Sequence, residues 1–407
     1  MHIVCYSHIF PNSQEPVRGP FIFLRNLHLQ KLVDVSVVAP LPFAPPLPFV
    51  ARWWKLFRVP SFEIIGGLAV HHPRYPKLPG SPLARQHRNM FSSALKTIRD
   101  IHLRKPVDVI EAPWLYPDAL VAKEVGRALN IPVVATALGS DINEYLEEPL
   151  LLAHILEVMR DVDAVACVSK ALASAGAKLG VPPSKFRVIY NGVDAKQFTP
   201  QDKVALRKEL NLPLERRIVV FVGHHEYIKG MDTLKLAWPA VGAINGVPPL
   251  LVMIGSGPMR RALVQELEPQ GVQFIEEQPH HLIQQWITAA DALILPSYAE
   301  GVPNVLLEAN ACGVPIICTD VGGVPEIMAD IRPDGSASNG VMVEAKCPEA
   351  LARGIERVLA TTFDPVAVRA NALRFEWGSC AEGFHDLFEQ VLRDRRVDAE
   401  GSISEAG

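Results

Sequence analysis

The sequence lacks several features that would each indicate a particular class of protein. It has no long basic run and a net charge of -4, which disfavours a nucleic-acid binder, since such proteins usually show clustered Lys and Arg. The six cysteines form no C-x-x-C pair, so we expect reduced thiols in the core. No apolar run is long enough to span a bilayer, and "MHIVCYSHIF" at the amino terminus lacks the charged and apolar segments of a signal peptide. We therefore expect a cytoplasmic protein, which leaves open a position at the inner face of the cytoplasmic membrane.

The sequence does contain a regular alternation of short apolar runs with longer helical patterns. Its 407 residues, 49% hydrophobic and 21% charged, are enough for two ordinary globular domains. Near-continuous Val/Ile/Leu runs are typical of parallel strands that helices cover on both faces. Ten runs predict such strands: "HIVCYS", "DVSVVAP", "VDVIEA", "PVVATAL", "AVACVS", "RIVVFVG", "LLVMIGSG", "VQFIEE", "DALILPS" and "VPIICTD". The pattern predicts an α/β fold of two doubly wound, Rossmann-like domains that face each other across a cleft.

The domain boundary is expected where the strand series starts again. "RIVVFVG" opens a second unit of strand and glycine loop near residue 217, and "VIYNGVDAKQFTP" before it contains an Asn-Gly turn and a polar loop. We predict a first domain over residues 1–193 and a second over 194–375. A helix over 376–396 should follow, and the polar segment 397–407 is predicted to be a disordered tail.

The segment "SYAEGVPNVLLEANACGVPIICTD" places two carboxylates, Glu300 and Glu308, on either side of a helix start. Glu300 is expected in the loop at the carboxyl end of a strand, where ligands of such sheets bind. Pro303 suits a first helical position, and the next backbone N–H groups are free for an anion. Glu308 then lies about one turn into the helix. Because each carboxylate can accept two hydrogen bonds, the pair suits vicinal hydroxyls of a sugar and of a ribose on either side of a diphosphate.

Two glycine loops of the second domain are further candidates. In "FVGHHEYIKGMDTL", Lys229 lies just before a helix start, where a cation and free N–H groups favour a phosphate. In "LLVMIGSGPMRRAL", Gly255 and Gly257 allow a close approach of the backbone. Taken alone, Lys229 would more often be a solvated lysine, and a single G-x-G more often serves packing.

Two other interpretations of the carboxylate pair remain. The pair could be the acid and base of a glycosidase, although that would not explain Lys229 or the helix start. Glu308 could complement the dipole of its helix, which would account for one glutamate and not for the ensemble.

The motifs together resemble family 4 of the retaining glycosyltransferases, which have the two-domain GT-B fold. The resemblance rests on "FVG" followed by Lys229 and Gly230, on "GSGP", on "VIYNGVD", and on "ADALILPSYAEGVPNVLLEANACGVPIICTDVGGVPEI". It extends over nearly the whole chain and is strongest from Tyr190 to Ile327. In this fold the final helix crosses back to the first domain.

The resemblance implies a role for each matching residue. Glu300 and Glu308 match the E-x7-E motif, so Glu300 would contact the donor sugar and Glu308 the ribose, and Lys229 would bind the diphosphate. We predict a donor-binding set of Gly19, Gly223, His224, Lys229, Gly255, Gly257, Glu300, Gly301, Val302, Pro303, Asn304 and Glu308. The predicted catalytic residues are Glu300, Lys229 and Asp141; for Asp141, which would line the cleft, helix capping is the alternative. Such transferases need no metal or cofactor, and the paired histidines lack metal-ligand spacing.

The chain departs from the family pattern at two places. His224 stands where the family usually has Arg, and an imidazole cannot make the forked bonds of a guanidinium. The usual first-domain histidine is also missing, because Glu111, Pro113 and Leu138 occupy the matching segments. His8 is a candidate substitute, with a capped surface histidine as the alternative. These departures keep open a non-catalytic nucleotide-sugar-binding protein. A sugar epimerase of the same fold is disfavoured by the E-x7-E segment.

The acceptor side is less clear from the sequence. Trp114, Tyr116 and Asp118 in "APWLYPDA" are predicted to form the acceptor wall, although Trp114 could be a core residue. The basic, aromatic segment "LPFAPPLPFVARWWKLFRVP" could contact anionic lipid headgroups, or it could be a proline-rich loop folded on its own domain. We therefore expect a retaining transferase that uses a nucleoside-diphosphate sugar and a glycan or lipid-linked acceptor, in cell-surface polysaccharide or exopolysaccharide biosynthesis. Peripheral contact with an anionic membrane is one of the two alternatives for the basic, aromatic segment, and nucleic acid is not an expected partner.

Overall fold

The computed structural model describes residues 1–43, 45, 50–77, 82–143 and 148–404, and the chain divides into two compact units. The first unit comprises Met1–Asn191 and Trp377–Gly407, and the second comprises Gly192–Glu376. The division falls after Asn191, whereas the sequence predicted the boundary two positions later, after residue 193.

The first unit is built on a large, mostly parallel sheet. Its strands are β1 (His2–Tyr6), β2 (Asp34–Val38), β3 (Leu41–Pro42), β4 (Phe62–Ile65), β5 (Leu68–His71), β6 (Arg74–Tyr75), β7 (Val109–Pro113), β8 (Val133–Ala137), β9 (Ala164–Cys167) and β10 (Phe186–Val188). Eight strands form one sheet in the order β10-β9-β8-β7-β1-β2-β5-β4, while β3 and β6 form a separate pair. All neighbours in the large sheet are parallel except β4 and β5.

Helices surround this sheet. They are α1 (Pro20–Leu29), α2 (Ala51–Arg58), α3 (Gln86–Arg104), α4 (Leu120–Leu129), α5 (Ser140–Asn143), α6 (Pro149–Asp161) and α7 (Lys170–Lys178), together with the last helix of the chain, Trp377–Ser404. Every residue of β1, β7 and β8 is buried, as expected for strands covered on both faces.

The second unit repeats the same plan. Its strands are β11 (Ile218–Val222), β12 (Leu250–Ile254), β13 (Gln273–Ile275), β14 (Ala292–Leu295), β15 (Ile316–Thr319), β16 (Ser336–Ala337) and β17 (Gly340–Val343). Its helices are α8 (Lys203–Glu209), α9 (Met231–Ala237), α10 (Arg260–Leu267), α11 (His280–Ala289), α12 (Asn304–Ala311), α13 (Val324–Ile327), α14 (Pro348–Ala360) and α15 (Pro365–Ala372), so the last helix of the chain is α16. The strand order is β13-β12-β11-β14-β15-β17-β16, parallel except for the final pair. The ten strands predicted from the apolar runs are all present.

Helix α16 belongs to the first unit and covers one face of its sheet. Trp377, Phe384 and Phe388 are buried there among residues of α1, β1 and β7. The helix continues to Ser404, so the predicted helix end at residue 396 is too early. The segment contains no proline to stop it, and the contact between Arg395 and Asp163 holds that part of the helix against the first unit. Of the predicted tail, residues 405–407 lie outside the described part of the chain.

Candidate active site

The loops after β11 and β14 bring Lys229 and Glu300 together in the second unit. Lys229 ends a short 3-10 turn, Tyr227–Lys229, and its Nζ lies 2.8 Å from Oε1 of Glu300. Ser297 Oγ donates to the same oxygen at 2.7 Å. Glu300 is buried, with 9% of its surface exposed, and Lys229 is half-buried. Lys229 and Glu300, which the sequence predicts to bind the diphosphate and the donor sugar, therefore form one charged pair.

Glycines make this close approach of two loops possible. Gly230 has a φ of 71°, and a Cβ there would lie 1.8 Å from the carbonyl oxygen of Pro296. Tyr298 N donates to the carbonyl oxygen of Ile228 at 2.8 Å, which joins the same two loops. A Cβ at Gly322 would likewise lie 1.9 Å from the carbonyl oxygen of Glu300. A side chain at either glycine would push the loops apart.

Glu308 lies on α12, one turn beyond the Glu300 loop, and has a histidine partner. His280 Nε2 lies 2.8 Å from Oε1 of Glu308. Burial disfavours the charged imidazolium, but the hydrogen bond and the charge of Glu308 outweigh burial and raise the pKa of His280. Glu308 is 9% exposed, so its carboxylate lies at the edge of the buried region.

The segment between the two carboxylates is buried and begins a helix. Gly301, Val302 and Pro303 are buried, and Pro303 is the N-cap of α12, one position earlier than predicted. Asn304 begins the helix, and its Oδ1 atom is buried without a hydrogen-bond partner among the described residues. The first N–H groups of α12 make this end of the helix suitable for an anion.

The glycines of the loops after β11 and β12 allow these loops to touch. A Cβ at Gly255 would lie 2.1 Å from the carbonyl oxygen of Gly223, and one at Gly257 would lie 2.6 Å from that of His225. The side chain of His224 is exposed, whereas His225 is fully buried. The geometry thus supports a packing role for Gly255 and Gly257, the alternative that the sequence left open, and leaves His224 accessible.

In the first unit, the carboxylate of Asp141 joins the loop after β7 to the loop after β8 through hydrogen bonds. It is fully buried, Oδ1 accepts from the backbone N–H groups of Leu138 and Gly139, and Oδ2 accepts from Leu115 at 3.1 Å. Burial raises the pKa of Asp141, while these hydrogen bonds oppose the change. Because backbone groups occupy both oxygens, the structure supports a positioning role and not the direct catalytic role that the sequence predicted.

The predicted acceptor wall is only partly accessible. Trp114 is half-buried, with a φ of 97°, but Tyr116 and Asp118 have no exposed surface. Tyr116 donates to the carbonyl oxygen of Leu83 and stacks on His154, whose ring centroid lies 5.5 Å away. The prediction that Tyr116 and Asp118 line an open wall therefore needs correction, because packing from α3 and α6 and the loop after β1 covers them.

Asp118 instead holds a histidine of the loop after β1. His8 Nδ1 lies 2.8 Å from Oδ1 of Asp118, and the His8 backbone N–H donates to Oδ2 at 3.1 Å. The side chain of His8 is 21% exposed. In the next loop residues, Gly19 has a φ of 58°, and a Cβ there would lie 2.3 Å from the carbonyl oxygen of Ile9. Steric crowding thus explains why this loop has a glycine at position 19. The contact of Gly19 with the donor stays a prediction.

Sequence reasoning missed the partners of the two carboxylates. Ser297 and His280 approach Glu300 and Glu308 from other segments, and no local pattern announces either contact. One signal existed for His280: it begins the helix after β13, and it therefore follows the carboxyl end of a strand. Within the described residues no group of three or more His, Cys, Asp or Glu side chains is arranged to hold a metal ion. In the same part of the chain no helix has the length and apolar composition to cross a membrane.

Two family models match consecutive parts of the chain. The model described as Glycosyltransferase Family 4 matches residues 25–197, and the one described as Glycosyl transferases group 1 matches residues 202–374. TuaC of Bacillus subtilis (strain 168), whose name assigns it to teichuronic acid biosynthesis as a glycosyltransferase, is 32% identical over 403 residues, covering 97% of this chain and 99% of TuaC. The D-inositol 3-phosphate glycosyltransferase of Acidothermus cellulolyticus is 29% identical, covering 77% of this chain and 74% of that protein.

Solved structures share the architecture at low sequence identity. Sucrose-phosphate synthase from Thermosynechococcus elongatus superposes with a TM-score of 0.75 at 22% identity, covering 97% of this chain and all 100% of that one. Anabaena HepE in complex with UDP gives 0.71 at 17% identity, covering 96% of this chain and 100% of that one.

Two doubly wound units, with a charged pair at the carboxyl ends of β11 and β14 in the second, define a glycosyltransferase with the GT-B fold. The chain belongs to glycosyltransferase family 4. The family and fold predicted from the sequence are thereby confirmed, and so is the prediction of an enzyme. The individual site roles stay predictions.

Proposed function

We propose that this enzyme transfers a sugar from a nucleoside-diphosphate donor to a glycan or lipid-linked acceptor with retention at the anomeric carbon. The observation that carries the proposal is the arrangement of Lys229, Glu300 and Glu308 around the start of α12. In the described part of the chain, each carboxylate is held through Oε1, and neither Oε2 has a hydrogen-bond partner there. Two carboxylate oxygens are thus available for hydroxyl groups on either side of a diphosphate.

The identity of the donor class has further support. The solved HepE structures are described as complexes with UDP, with UDP and glucose, and with UDP-glucose. In the present enzyme, Glu308 Oε2 would accept from the ribose, Glu300 from the sugar, and the first N–H groups of α12 would face the phosphates. Lys229 would exchange part of its contact with Glu300 for the diphosphate.

The proposed mechanism needs no protein nucleophile and no metal. The bond from the anomeric carbon to the diphosphate oxygen breaks while the acceptor hydroxyl attacks the same face. The new glycosidic bond forms, and the hydroxyl proton passes to the departing phosphate. Lys229 and the N–H groups of α12 stabilise the charge that develops on the diphosphate, the kind of electrostatic contribution that is often the largest in catalysis.

A cell-surface polysaccharide is the proposed product. TuaC, which nearly the whole chain resembles, is named for teichuronic acid biosynthesis. Assembly on a lipid-linked acceptor would place the enzyme at the inner face of the cytoplasmic membrane. The structural support for this placement is α2, which the sequence left as part of a proline-rich segment.

Helix α2 presents aromatic and cationic side chains to solvent. Trp53 and Phe57, four residues apart, are 36% and 46% exposed. Lys55 and Arg58 are exposed on the same short helix. Aromatic rings suit the headgroup region of a bilayer, and each cation near an anionic surface adds about 1 kcal/mol of attraction. We call Trp53, Lys55, Phe57 and Arg58 the α2 patch and propose that it contacts anionic lipid.

Two substitutions test the proposed catalytic arrangement. Glu300→Gln and Lys229→Ala should each lower sugar transfer by about 100-fold or more, because each removes a group that stabilises the transition state. Transfer is measured from UDP-glucose, GDP-mannose and ADP-glucose to a panel of polyprenyl-linked saccharides. Lys235→Ala is the matched control, since Lys235 belongs to the same unit and forms a surface pair with Glu266 at 3.3 Å.

The outcome separates an enzyme that uses this site from other arrangements. Both variants should remain folded, with thermal transitions like that of the wild type. If they transfer sugar as fast as the Lys235→Ala control, the assignment of Lys229 and Glu300 is wrong. If the wild type binds a nucleotide sugar but transfers it to no acceptor in the panel, the non-catalytic binding alternative gains support.

A further inference from the structure

In the described part of the chain, His280 is the one histidine that forms a side-chain hydrogen bond with Glu300, Glu308 or Lys229. It is the first residue of α11, and its Nε2 lies 2.8 Å from Oε1 of Glu308. The ring packs against Phe198 with centroids 5.2 Å apart. Gln197 Nε2 donates to the carbonyl oxygen of His280 at 3.3 Å and lies 3.5 Å from its Nδ1. The ring is therefore fixed on three sides.

These contacts define the direction of the hydrogen bond. Burial of Glu308 leaves its carboxylate in need of a donor, and Nε2–H of His280 supplies one to Oε1. With Nε2 as the donor, Nδ1 is free to accept in the neutral imidazole, and the amide of Gln197 is the group that faces it. Protonation of His280 would leave the bond to Glu308 in place, because Nε2 donates in both forms.

The consequence for Glu308 is a fixed rotamer with one open oxygen. Oε1 accepts a hydrogen bond from His280. Oε2 has no hydrogen-bond partner among the described residues, and it is not one of the fully buried polar atoms that lack a partner. A carboxylate that rotates freely loses conformational entropy when it binds a ligand, whereas one already fixed does not. His280 thus prepares Glu308 to accept from a pair of adjacent hydroxyls.

We propose that His280 is a positioning residue for the ribose of the donor and gives the enzyme its preference for ribonucleotides over deoxyribonucleotides. The inference rests on the proposed function, since it assumes that Glu308 binds the ribose. His280 itself contacts Glu308 and not the nucleotide. Its effect should therefore be confined to the hydroxyl groups that Glu308 recognises.

The experiment compares the affinity for a nucleoside diphosphate with that for its deoxy counterparts. The dissociation constants of UDP, 2′-deoxy-UDP and 3′-deoxy-UDP are measured by titration calorimetry, and the ADP and GDP series are measured in the same way. Losing a hydrogen bond to a charged group costs about tenfold or more in affinity, so the wild type should prefer the ribonucleotide by about that factor. Glu308→Ala should abolish the preference.

Two variants of His280 separate the hydrogen bond from packing. His280→Phe keeps a ring against Phe198 and removes the donor, so the ratio of deoxy to ribo dissociation constants should fall to that of Glu308→Ala. His280→Gln supplies an amide donor and should retain most of the wild-type ratio. His281→Phe is the matched control, because His281 is exposed and adjacent.

Each result leads to a decision. A wild-type ratio in folded His280→Phe overturns the inference, including the case in which both affinities weaken equally, because that pattern indicates a purely structural role. Failure of the wild type to bind any of the diphosphates overturns the proposed function itself, and the inference with it. A ratio that falls in His280→Phe and stays high in His280→Gln and His281→Phe supports it.

Discussion

His225 is a buried histidine whose ring makes no hydrogen bond within the described part of the chain. Its ring lies 5.6 Å from that of Phe221 and 6.2 Å from that of Phe274, and neither ring nitrogen has a partner among the described residues. Burial, with the charges of Arg260 and His224, lowers the pKa of His225 to about 4. The folded protein therefore holds a neutral imidazole under conditions in which the unfolded chain begins to take up a proton.

This predicts a specific loss of stability in acid. Below the ordinary histidine pKa of 6.5, the unfolded state binds the proton first, so stability falls with pH until the folded group titrates near 4. Between pH 7 and pH 5, His225 should cost about 2 kcal/mol of unfolding free energy. In His225→Phe that part of the loss should vanish. Urea denaturation at the two pH values measures it, with His281→Phe as the control.

An equal acid sensitivity in His225→Phe and the wild type would contradict the assignment. At pH 7 the variant should be at least as stable as the wild type, because it replaces two unpaired buried nitrogen atoms with an apolar ring.

At the residue scale, the candidate ligand-binding residues were easier to find in the sequence than the side chains that contact them. Glu300, Glu308 and Lys229 stand out in the sequence because they occur together around a helix start, although Lys229 and Glu308 taken singly each fit a structural role. Their partners Ser297 and His280 could not be predicted, since tertiary packing brings them from other segments. The same reason explains Tyr116, whose burial depends on α6 and on a turn near Leu83, neither of which is adjacent in sequence.

At the scale of elements, a buried ion pair helps to attach α16 to the first unit. Arg25 Nη2 of α1 donates to Glu111 Oε1 of β7 at 2.7 Å, and Thr136 Oγ1 of β8 donates to the same oxygen at 2.8 Å. The Arg25 guanidinium also lies 4.4 Å from the ring centroid of Phe384 in α16. Glu111, which stands where the family often has a histidine, thus serves the core of this unit.

The strands were predictable because continuous burial leaves an apolar run, but α2 and the hairpin of β4 and β5 were missed. In α2 the exposed positions Trp53 and Phe57 give a short helical period that prolines on both sides obscure. In the hairpin, Phe62 and Ile64 are 46% and 61% exposed, so the burial that marks the other strands is absent. Short, partly exposed elements leave a weaker pattern than buried ones.

The α2 patch yields a prediction about membranes. Trp53→Ala with Phe57→Ala should lower sedimentation with vesicles of phosphatidylcholine and phosphatidylglycerol by about tenfold, because two aromatic anchors are lost. Lys55→Gln with Arg58→Gln should lower binding chiefly at low salt. Leu103→Ala with Val366→Ala is the control, since both side chains are 76% exposed elsewhere.

Wild-type protein that pellets equally with neutral and anionic vesicles would contradict the electrostatic part of the proposal. Sedimentation of the aromatic variant at the wild-type level would remove the α2 patch from the account. Either result would leave the donor site unaffected, because the patch belongs to the other unit.

At the scale of the whole molecule, the donor side is more predictable than the acceptor side. The donor proposed for the second unit is defined by phosphate and hydroxyl groups, and those groups require a few residue types at fixed spacing, such as Glu300 and Glu308. The acceptor varies in chemistry and imposes no common spacing. Trp114 and His8 are half-buried polar or aromatic side chains that follow the ends of β7 and β1. No pattern in the chain predicts which acceptor these two side chains would contact.

The most direct test of the central claim is a thermal-shift panel of UDP, GDP, ADP and dTDP with their common sugar conjugates. A ligand of the folded state at about 100 times its dissociation constant adds about 2.7 kcal/mol of stability, which is readily measured. We predict a selective shift with one nucleotide series, which Glu308→Ala abolishes and which substitution of an exposed glutamate, Glu268→Ala, leaves unchanged. The absence of a shift with every nucleotide, from folded wild-type protein at several pH values, would contradict the account.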